Sequence, residues 1–338
     1  MQQKTHYKYL VMIDEFSPAT IWHIQQIHEA LTLSDKVVIL IENSHLPRST
    51  AHPWTFEVRK QLISVNFSQE TLDRIVFVPL SRFMYSRDLW LEQTQHIVNA
   101  YAAQGTAALF TDKESLISDF PQWTIVRPSV PADIPELNNV LFAASLPGSN
   151  VTLDEFWPYV TSLTYANLQK NIMTAHFFAD LVSEYAFIQD YKKAWKAAPY
   201  AVTFMTVDAI VIQSGHVLMV ERGAFPGKGL LALPGGFLEQ DETTLEGALR
   251  ELEEETKIDV PKKVLRGNIV GEKLFDNVNR SQRGRTITNA FCIKLPNGRL
   301  PKVKGSDDAK RAMWVPFSSL DPEQIFEDHY DIIQYFIN

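Results

Sequence analysis

Three glutamates within a few residues carry the most specific chemistry in this sequence. They lie in the run Arg250-Glu251-Leu252-Glu253-Glu254-Glu255-Thr256. A helix from Asp241, a suitable N-cap, to about Thr256 puts Glu251 and Glu255 at i, i+4 on one face, with Glu254 at i+3 on the same side. Like charges this close destabilise a helix unless something neutralises them. Mg2+ or Mn2+ would do so, because hard cations favour carboxylate oxygens. Ahead of the helix stands Pro234-Gly235-Gly236, where the missing side chains let backbone approach an ion. A metal held there could neutralise phosphoryl oxygens, lower the pKa of a bound water and fix in-line geometry. The competing reading is a solvated acidic helix face. Glu253-Glu254-Glu255 alone would support it, but the glycine loop in register ahead favours the metal.

The stretch from Gly236 to Ile258 resembles the Nudix signature: Gly, five residues, Glu242, seven residues, Arg250-Glu251, an aliphatic, any residue, Glu254-Glu255, any residue, Gly, an aliphatic. Every fixed position matches except one, where Lys257 replaces glycine. Glycine just past a helix usually takes left-handed backbone, so this departure costs stability and removes no ligand. The resemblance implies Glu251 and Glu255 as the main metal ligands, with Glu254 assisting and the Gly235 carbonyl as a further ligand. Glu242, Glu246 and Arg250 form an i, i+4 ladder expected to hold the helix, with Arg250 orienting a carboxylate.

The flanking residues resemble the ADP-ribose-cleaving branch of that family. They are Arg222-Gly223-Ala224-Phe225-Pro226-Gly227-Lys228-Gly229, Phe275-Asp276, Arg280-Ser281-Gln282-Arg283-Gly284-Arg285, Asp307-Asp308-Ala309 and Glu327-Asp328-His329. Arg222, Lys228, Arg280, Arg283 and Arg285 are the expected substrate-binding cations, since arginine makes forked contacts with phosphate. An exposed basic loop is the alternative for any one of them. His329 is expected at the surface.

The elements that must position these residues fall into two halves. A chain of 338 residues is longer than one core usually serves. Tyr9–Ile13, Val37–Ile41, Ile75–Pro79 and Ala107–Phe110 read as buried strands, alternating with helices over about 18–31, 53–66 and 88–103. That alternation predicts a doubly wound parallel sheet with ligands at the strand carboxyl ends. Residues 152–196 turn helical. Pro199, after a small polar run, marks a boundary, giving domains 1–196 and 198–338. The second half reads as α+β, an α/β/α sandwich by the Nudix resemblance, opening with strands 202–212 and 217–221 around Ser214-Gly215.

Hydrophobic residues make up 45% and charged residues 21%, as in ordinary globular proteins. The net charge of −8 disfavours a nucleic-acid partner. No stretch reaches the roughly 20 apolar residues of a membrane span. Cys292 is the sole cysteine and sits in an apolar run, so a reducing, cytoplasmic setting is expected. A homo-oligomer is compatible with this composition.

The first half resembles the NMN adenylyltransferase domain fused to such Nudix domains in bifunctional bacterial proteins. Its marks are Pro47-Arg48, Pro53-Trp54-Thr55-Phe56-Glu57-Val58-Arg59, Leu89-Trp90-Leu91 with Gln95, Asp112-Lys113-Glu114-Ser115 and Phe120-Pro121-Gln122-Trp123. The family signature Gly-Arg-Phe-x-Pro-Phe-His-x-Gly-His reads here Asp14-Glu15-Phe16-Ser17-Pro18-Ala19-Thr20-Ile21-Trp22-His23. Thr20 removes a histidine, Trp22 removes the glycine that admits phosphate to the helix N-terminus, and Asp14-Glu15 add two negative charges. The later Ser-Thr-x-x-Arg motif is absent, its nearest counterpart being residues 135–141. The resemblance therefore implies an inactive nucleotidyltransferase-like domain. The expected function is metal-dependent cleavage of the diphosphate in ADP-ribose, or a related NAD-derived nucleotide, to AMP and ribose 5-phosphate. The alternatives are a bifunctional enzyme that also adenylylates NMN, and a non-catalytic NAD-metabolite sensor.

Overall fold

The computed structural model describes residues 5–103, 105–130, 135–305 and 309–337, and the side chains of 309 and 310 are not described. The Asp307-Asp308-Ala309 motif thus lies outside the described side chains. The chain divides into two compact units, Met1–Tyr185 and Ala186–Asn338.

In the first unit a parallel sheet has the order β3-β2-β1-β4-β5, built from β1 (Tyr7–Asp14), β2 (Ser34–Ile41), β3 (Ile75–Pro79), β4 (Ala107–Phe110) and β5 (Ile125–Val126). The helices around it are α1 (Ile21–Leu33), α2 (Phe56–Ser64), α3 (Gln69–Leu72), α4 (Arg87–Ala102) and α5 (Glu114–Asp119). Leu10, Met12, Val37, Ile39 and Ile41 pack with Ile24 and Ile27 of α1 on one face. Tyr9, Val11, Ile13, Val38 and Leu40 pack with Val98 of α4 and Leu116 of α5 on the other. Burial on both faces explains the unbroken apolar runs of the strands. The four expected strands are present; β5, only two residues long, is too short to leave a pattern. The helix expected from Pro18 begins at Ile21, because Thr20 is its N-cap. Residues 135–141 lead into α6 (Leu137–Ala144), and α7 (Ser162–Asn167) and α8 (His176–Trp195) follow, with Phe142, Phe156, Leu168 and Phe178 forming a separate apolar cluster. The last turns of α8 belong to the second unit, where Tyr191 and Trp195 lie against Phe204.

The second unit has a mixed sheet in the order β10-β11-β6-β7-β12, with β8 added to β7 and β9 to β6. Its strands are β6 (Phe204–Gln213), β7 (His216–Arg222), β8 (Leu231–Ala232), β9 (Gly235–Phe237), β10 (Ile269–Phe275), β11 (Thr286–Lys294) and β12 (Ala309–Pro316). The helices are α9 (Thr244–Thr256), α10 (Lys262–Gly267) and α11 (His329–Ile337). Leu249 and Leu252 of α9 pack on Ala209, Val211, Leu218 and Ile293, and Ala248 packs on Val207 and Phe291. This 245-248-249-252 stripe fixes the rotation of α9. Among the described residues, no helix is long and apolar enough to cross a membrane.

Candidate metal and diphosphate site

The loop before α9 passes through β9, whose Gly235 and Gly236 pair with Asp208 and Val207 of β6. A Cβ on Gly235 would run into the Val207 carbonyl and the Asp208 carboxylate, and one on Gly236 would meet Glu251 Oε1 at 2.5 Å. Only glycine fits at Gly235, where the obstacle is backbone; at Gly236 a side chain would displace the Glu251 carboxylate. Glycine here brings backbone against the carboxylates of α9.

The helix starts two residues later than expected. Thr243, not Asp241, is the N-cap, because Thr243 and Glu246 close a capping box: Glu246 Oε2 accepts the Thr243 N–H at 3.0 Å and its hydroxyl at 2.7 Å. Glu246 is thereby spent on the cap and is not a rung on Arg250. Instead Arg250 donates a fork to Glu242 (3.0 and 2.7 Å) and further bonds to Glu251 (2.8 Å) and Glu254 (3.2 Å). The hydrogen bond from Arg250 holds Glu242 below the ordinary carboxylate range. Arg250 thus ties the loop to the helix and orients two glutamates at once. Glu253 faces elsewhere, 2.7 Å from Lys262.

Glu255 Oε2 accepts the Gly235 N–H at 3.0 Å. Burial pushes its carboxyl up to about 8 against that bond, and the charges of Glu251 and Asp208 add to the rise. Burial also raises Glu251, opposed by Arg250. Two partly buried carboxylates whose charge is costly, beside a backbone that only glycine permits, suit a hard divalent cation. Among the described residues, no three His, Cys, Asp or Glu groups already converge as a metal cluster; Glu251 and Glu254 are turned onto Arg250.

The expected substrate cations divide. Arg222 lies over the Phe326 ring at 4.0 Å and donates to the Pro226 carbonyl, and Lys228 is exposed beside Phe225. Arg283 lies 5.6 Å from the centre of the Phe237 ring and 4.0 Å from Glu327. Arg285 donates to the Asp276 carbonyl. Arg280 differs: it is 4% exposed and forked onto the fully buried Asp328 at 2.9 and 3.1 Å. Both edges of its guanidinium face protein, so it builds the site from behind. His329 is not at the surface; it is buried, and its Nδ1 accepts the Leu233 N–H at 2.8 Å. Burial holds its pKa down. Asp208 escaped the sequence reading. An acidic residue inside Val207-Asp208-Ala209-Ile210 was the available signal, since an isolated carboxylate is costly in a buried strand. It is buried and accepts the Thr288 hydroxyl at 2.5 Å.

The NUDIX domain model matches residues 202–336. The ADP-ribose pyrophosphatase of Methanocaldococcus jannaschii is 37% identical over 131 residues, which are 38% of this chain and 70% of that protein. A bifunctional NMN adenylyltransferase/ADP ribose pyrophosphatase from Francisella tularensis has a crystal structure that is 33% identical, covers 98% of both chains and superposes with a TM-score of 0.86. The chain belongs to this bifunctional family. A second crystal structure of the Francisella protein, with AMP and a Mn ion, is 32% identical over 98% of both chains with a TM-score of 0.87.

In the first unit, Asp14 at the carboxyl end of β1 is held by two basic side chains. Asp14 Oδ2 lies 2.8 Å from Lys113 Nζ and 3.4 Å from His23 Nε2. Burial opposes its charge, yet the bonds and charges of His23 and Lys113 hold the carboxyl well below its usual range. Thr20 and His23 cap α1 with a reciprocal pair, the His23 ring accepting the Thr20 N–H at 3.0 Å. The cavity around Asp14, His23 and Lys113 holds about 60 Å³, well short of the 300 Å³ or more typical of ligand pockets. A separate recess of about 450 Å³ is lined by Glu42, Arg82, Arg87, Trp90 and Asp119 among others.

Proposed function

We propose that the second unit hydrolyses ADP-ribose to AMP and ribose 5-phosphate with Mg2+ or Mn2+. The observation that carries this reading is Glu255, held on the Gly235 N–H beside Glu251 where only glycine backbone fits. Glu251, Glu255 and the Gly235 carbonyl are the proposed ligands, with Glu254 within reach once it leaves Arg250. A divalent cation there supplies charge neutralisation on the diphosphate and a more acidic water.

The chain's own residues do the rest. Arg250 holds Glu251 and Glu254 beside Glu242 of the loop until a cation competes for them. Arg222, Lys228, Arg283 and Arg285 bring positive charge to an otherwise acidic protein, as a diphosphate requires. Hydrolysis adds water across the P–O–P bridge: the water oxygen bonds one phosphorus, and the bridging oxygen leaves on the other phosphate. The likeness to the Methanocaldococcus and Francisella proteins supports ADP-ribose as the substrate.

The first unit, in this reading, transfers no adenylyl group. Asp14 occupies the cations a triphosphate would need, and Thr20 caps the helix it would approach. The buried lone Cys292 suits a reducing cytoplasm. The reading is tested by identifying products after incubation with ADP-ribose, NADH, FAD and diadenosine polyphosphates plus Mg2+. Turnover of none of them, or turnover that survives chelation, overturns it.

A further inference from the structure

We propose that Phe326-Glu327-Asp328-His329 is the positioning segment of the hydrolase site, each side chain holding a different part of it. The inference rests on the reading of the second unit as an ADP-ribose hydrolase. In chain order the four side chains meet Arg222, Arg283, Arg280 and the backbone of the glycine loop. Phe326 lies 4.0 Å from the Arg222 guanidinium. Glu327 is 4.0 Å from Arg283, with its carboxyl pushed up by burial against that arginine. Asp328 is fully buried and takes the fork of Arg280. His329 accepts the Leu233 N–H, two residues before Gly235.

The backbone explains how four consecutive residues can all turn inward. Glu327 has φ +46, a left-handed conformation that non-glycine residues seldom hold and that clusters at functional sites. It breaks both the alternation of a strand and the progression of a helix just before α11 begins.

His329 does more than fill space. Because Nδ1 accepts from Leu233, the neutral ring carries its proton on Nε2. That atom faces Asp208 Oδ1 at 4.0 Å, too far for a direct hydrogen bond but close enough for attraction. Asp208 in turn takes the Thr288 hydroxyl and pairs with Gly235 in the ladder between β6 and β9. The glycine loop is therefore gripped on both sides, by His329 at Leu233 and by Asp208 at Gly235. His329 acts on the metal through that backbone. Glu327 acts on the diphosphate through Arg283, while Asp328 fixes Arg280 behind the site. The two halves of the segment should separate in binding measurements.

The test uses the full chain as wild type, His329→Ala, His329→Asn, His329→Gln and Glu327→Gln. Mn2+ affinity is measured by calorimetry without nucleotide, and kcat and KM with ADP-ribose at saturating Mn2+. His329→Ala should weaken Mn2+ binding about 10–100-fold, as loss of an outer partner of a metal site does. Asn, whose Oδ1 occupies the place of Nδ1, should recover most of that affinity. Glu327→Gln should raise KM and leave Mn2+ affinity at the wild-type value. If His329→Ala does not fold, His329→Gln takes its place, since its acceptor is displaced by one bond and should also weaken Mn2+. Wild-type Mn2+ affinity in the Ala or Gln variant overturns the proposal. So does an equal weakening of Mn2+ binding together with an equal rise in KM in the Glu327 and His329 variants, the pattern of general loosening. Should wild type bind Mn2+ with this ordering yet cleave no ADP-ribose, the substrate reading falls and the grip of His329 on the metal loop stands.

Discussion

Lys257 is the one departure from the Nudix signature, and its backbone gives a quantitative prediction. It closes α9 at φ +44, ψ +39, donating its N–H to the Glu253 carbonyl. Left-handed backbone costs a non-glycine residue about 1–2 kcal/mol. Lys257→Gly removes that strain but adds freedom to the unfolded chain, which offsets about 0.5–1 kcal/mol. The net expectation is stabilisation by about 0.5–1 kcal/mol, or roughly 1–4 °C in the melting transition of a unit this size. The lysine side chain is exposed and is not among the proposed ligands, so Mn2+ affinity and kcat should stay at wild-type values. Scanning calorimetry with and without Mn2+, beside a Mn2+ titration, measures both quantities. Destabilisation would show that the side chain makes contacts worth more than the strain. A change in Mn2+ affinity would refute the separation of stability from metal binding at this position.

Further expectations concern the carboxylates and the first unit. Glu251→Gln and Glu255→Gln should each lower kcat at least about tenfold, because loss of a ligand should exceed loss of an outer partner; Glu253→Gln, whose residue pairs with exposed Lys262, should leave kcat unchanged, and equal effects at all three would mean the helix register is misassigned. Calorimetric titration should detect no ATP binding, whereas NMN, titrated separately, reports on the 450 Å³ recess; NAD+ should not form from the two, and micromolar ATP binding would revive the bifunctional reading. Asp14→Gly, Glu15→Arg, Thr20→His and Trp22→Gly together should restore some ATP affinity by freeing Lys113 and His23. Burial raises Glu42 from 4.5 to about 7, with Lys113 opposing and Asp14 adding. The folded state then keeps a proton the unfolded chain releases, so stability is lost as pH rises from about 4.5 to 7, by up to about 3 kcal/mol. Urea unfolding of Glu42→Gln should show a flatter dependence across that window, and an unchanged slope would count against it.

Much of this was legible in the sequence because it repeats a period or a spacing. The four longer strands of the first sheet are buried on both faces and so appear as unbroken apolar runs. The register of α9 follows from Leu245, Ala248, Leu249 and Leu252, and that stripe is what places Glu251 and Glu255 toward the glycine loop. What was not legible depends on partners distant in sequence. Asp241 and Thr243 are both good caps in isolation, and Glu246 decides between them by folding back onto Thr243. Arg280 reads from its spacing as a substrate cation, and the fork that Asp328, 48 residues away, takes from its Nε and Nη2 could not be seen there. His329 sits in a polar triplet that reads as exposed, and only the left-handed turn at Glu327 brings it inside. Asp208 was hidden by its apolar neighbours, because pattern reading weighs the run and not the exception.

The most direct test is turnover of ADP-ribose by the wild-type chain, with phosphorus NMR identifying the products. With Mg2+ or Mn2+ the expected products are AMP and ribose 5-phosphate in equal amounts. Turnover should stop on chelation, return on adding metal back, and be abolished in the double variant Glu251→Gln, Glu255→Gln. Cleavage that continues in chelator, or that persists undiminished in the double variant, would contradict a metal site built on those two glutamates.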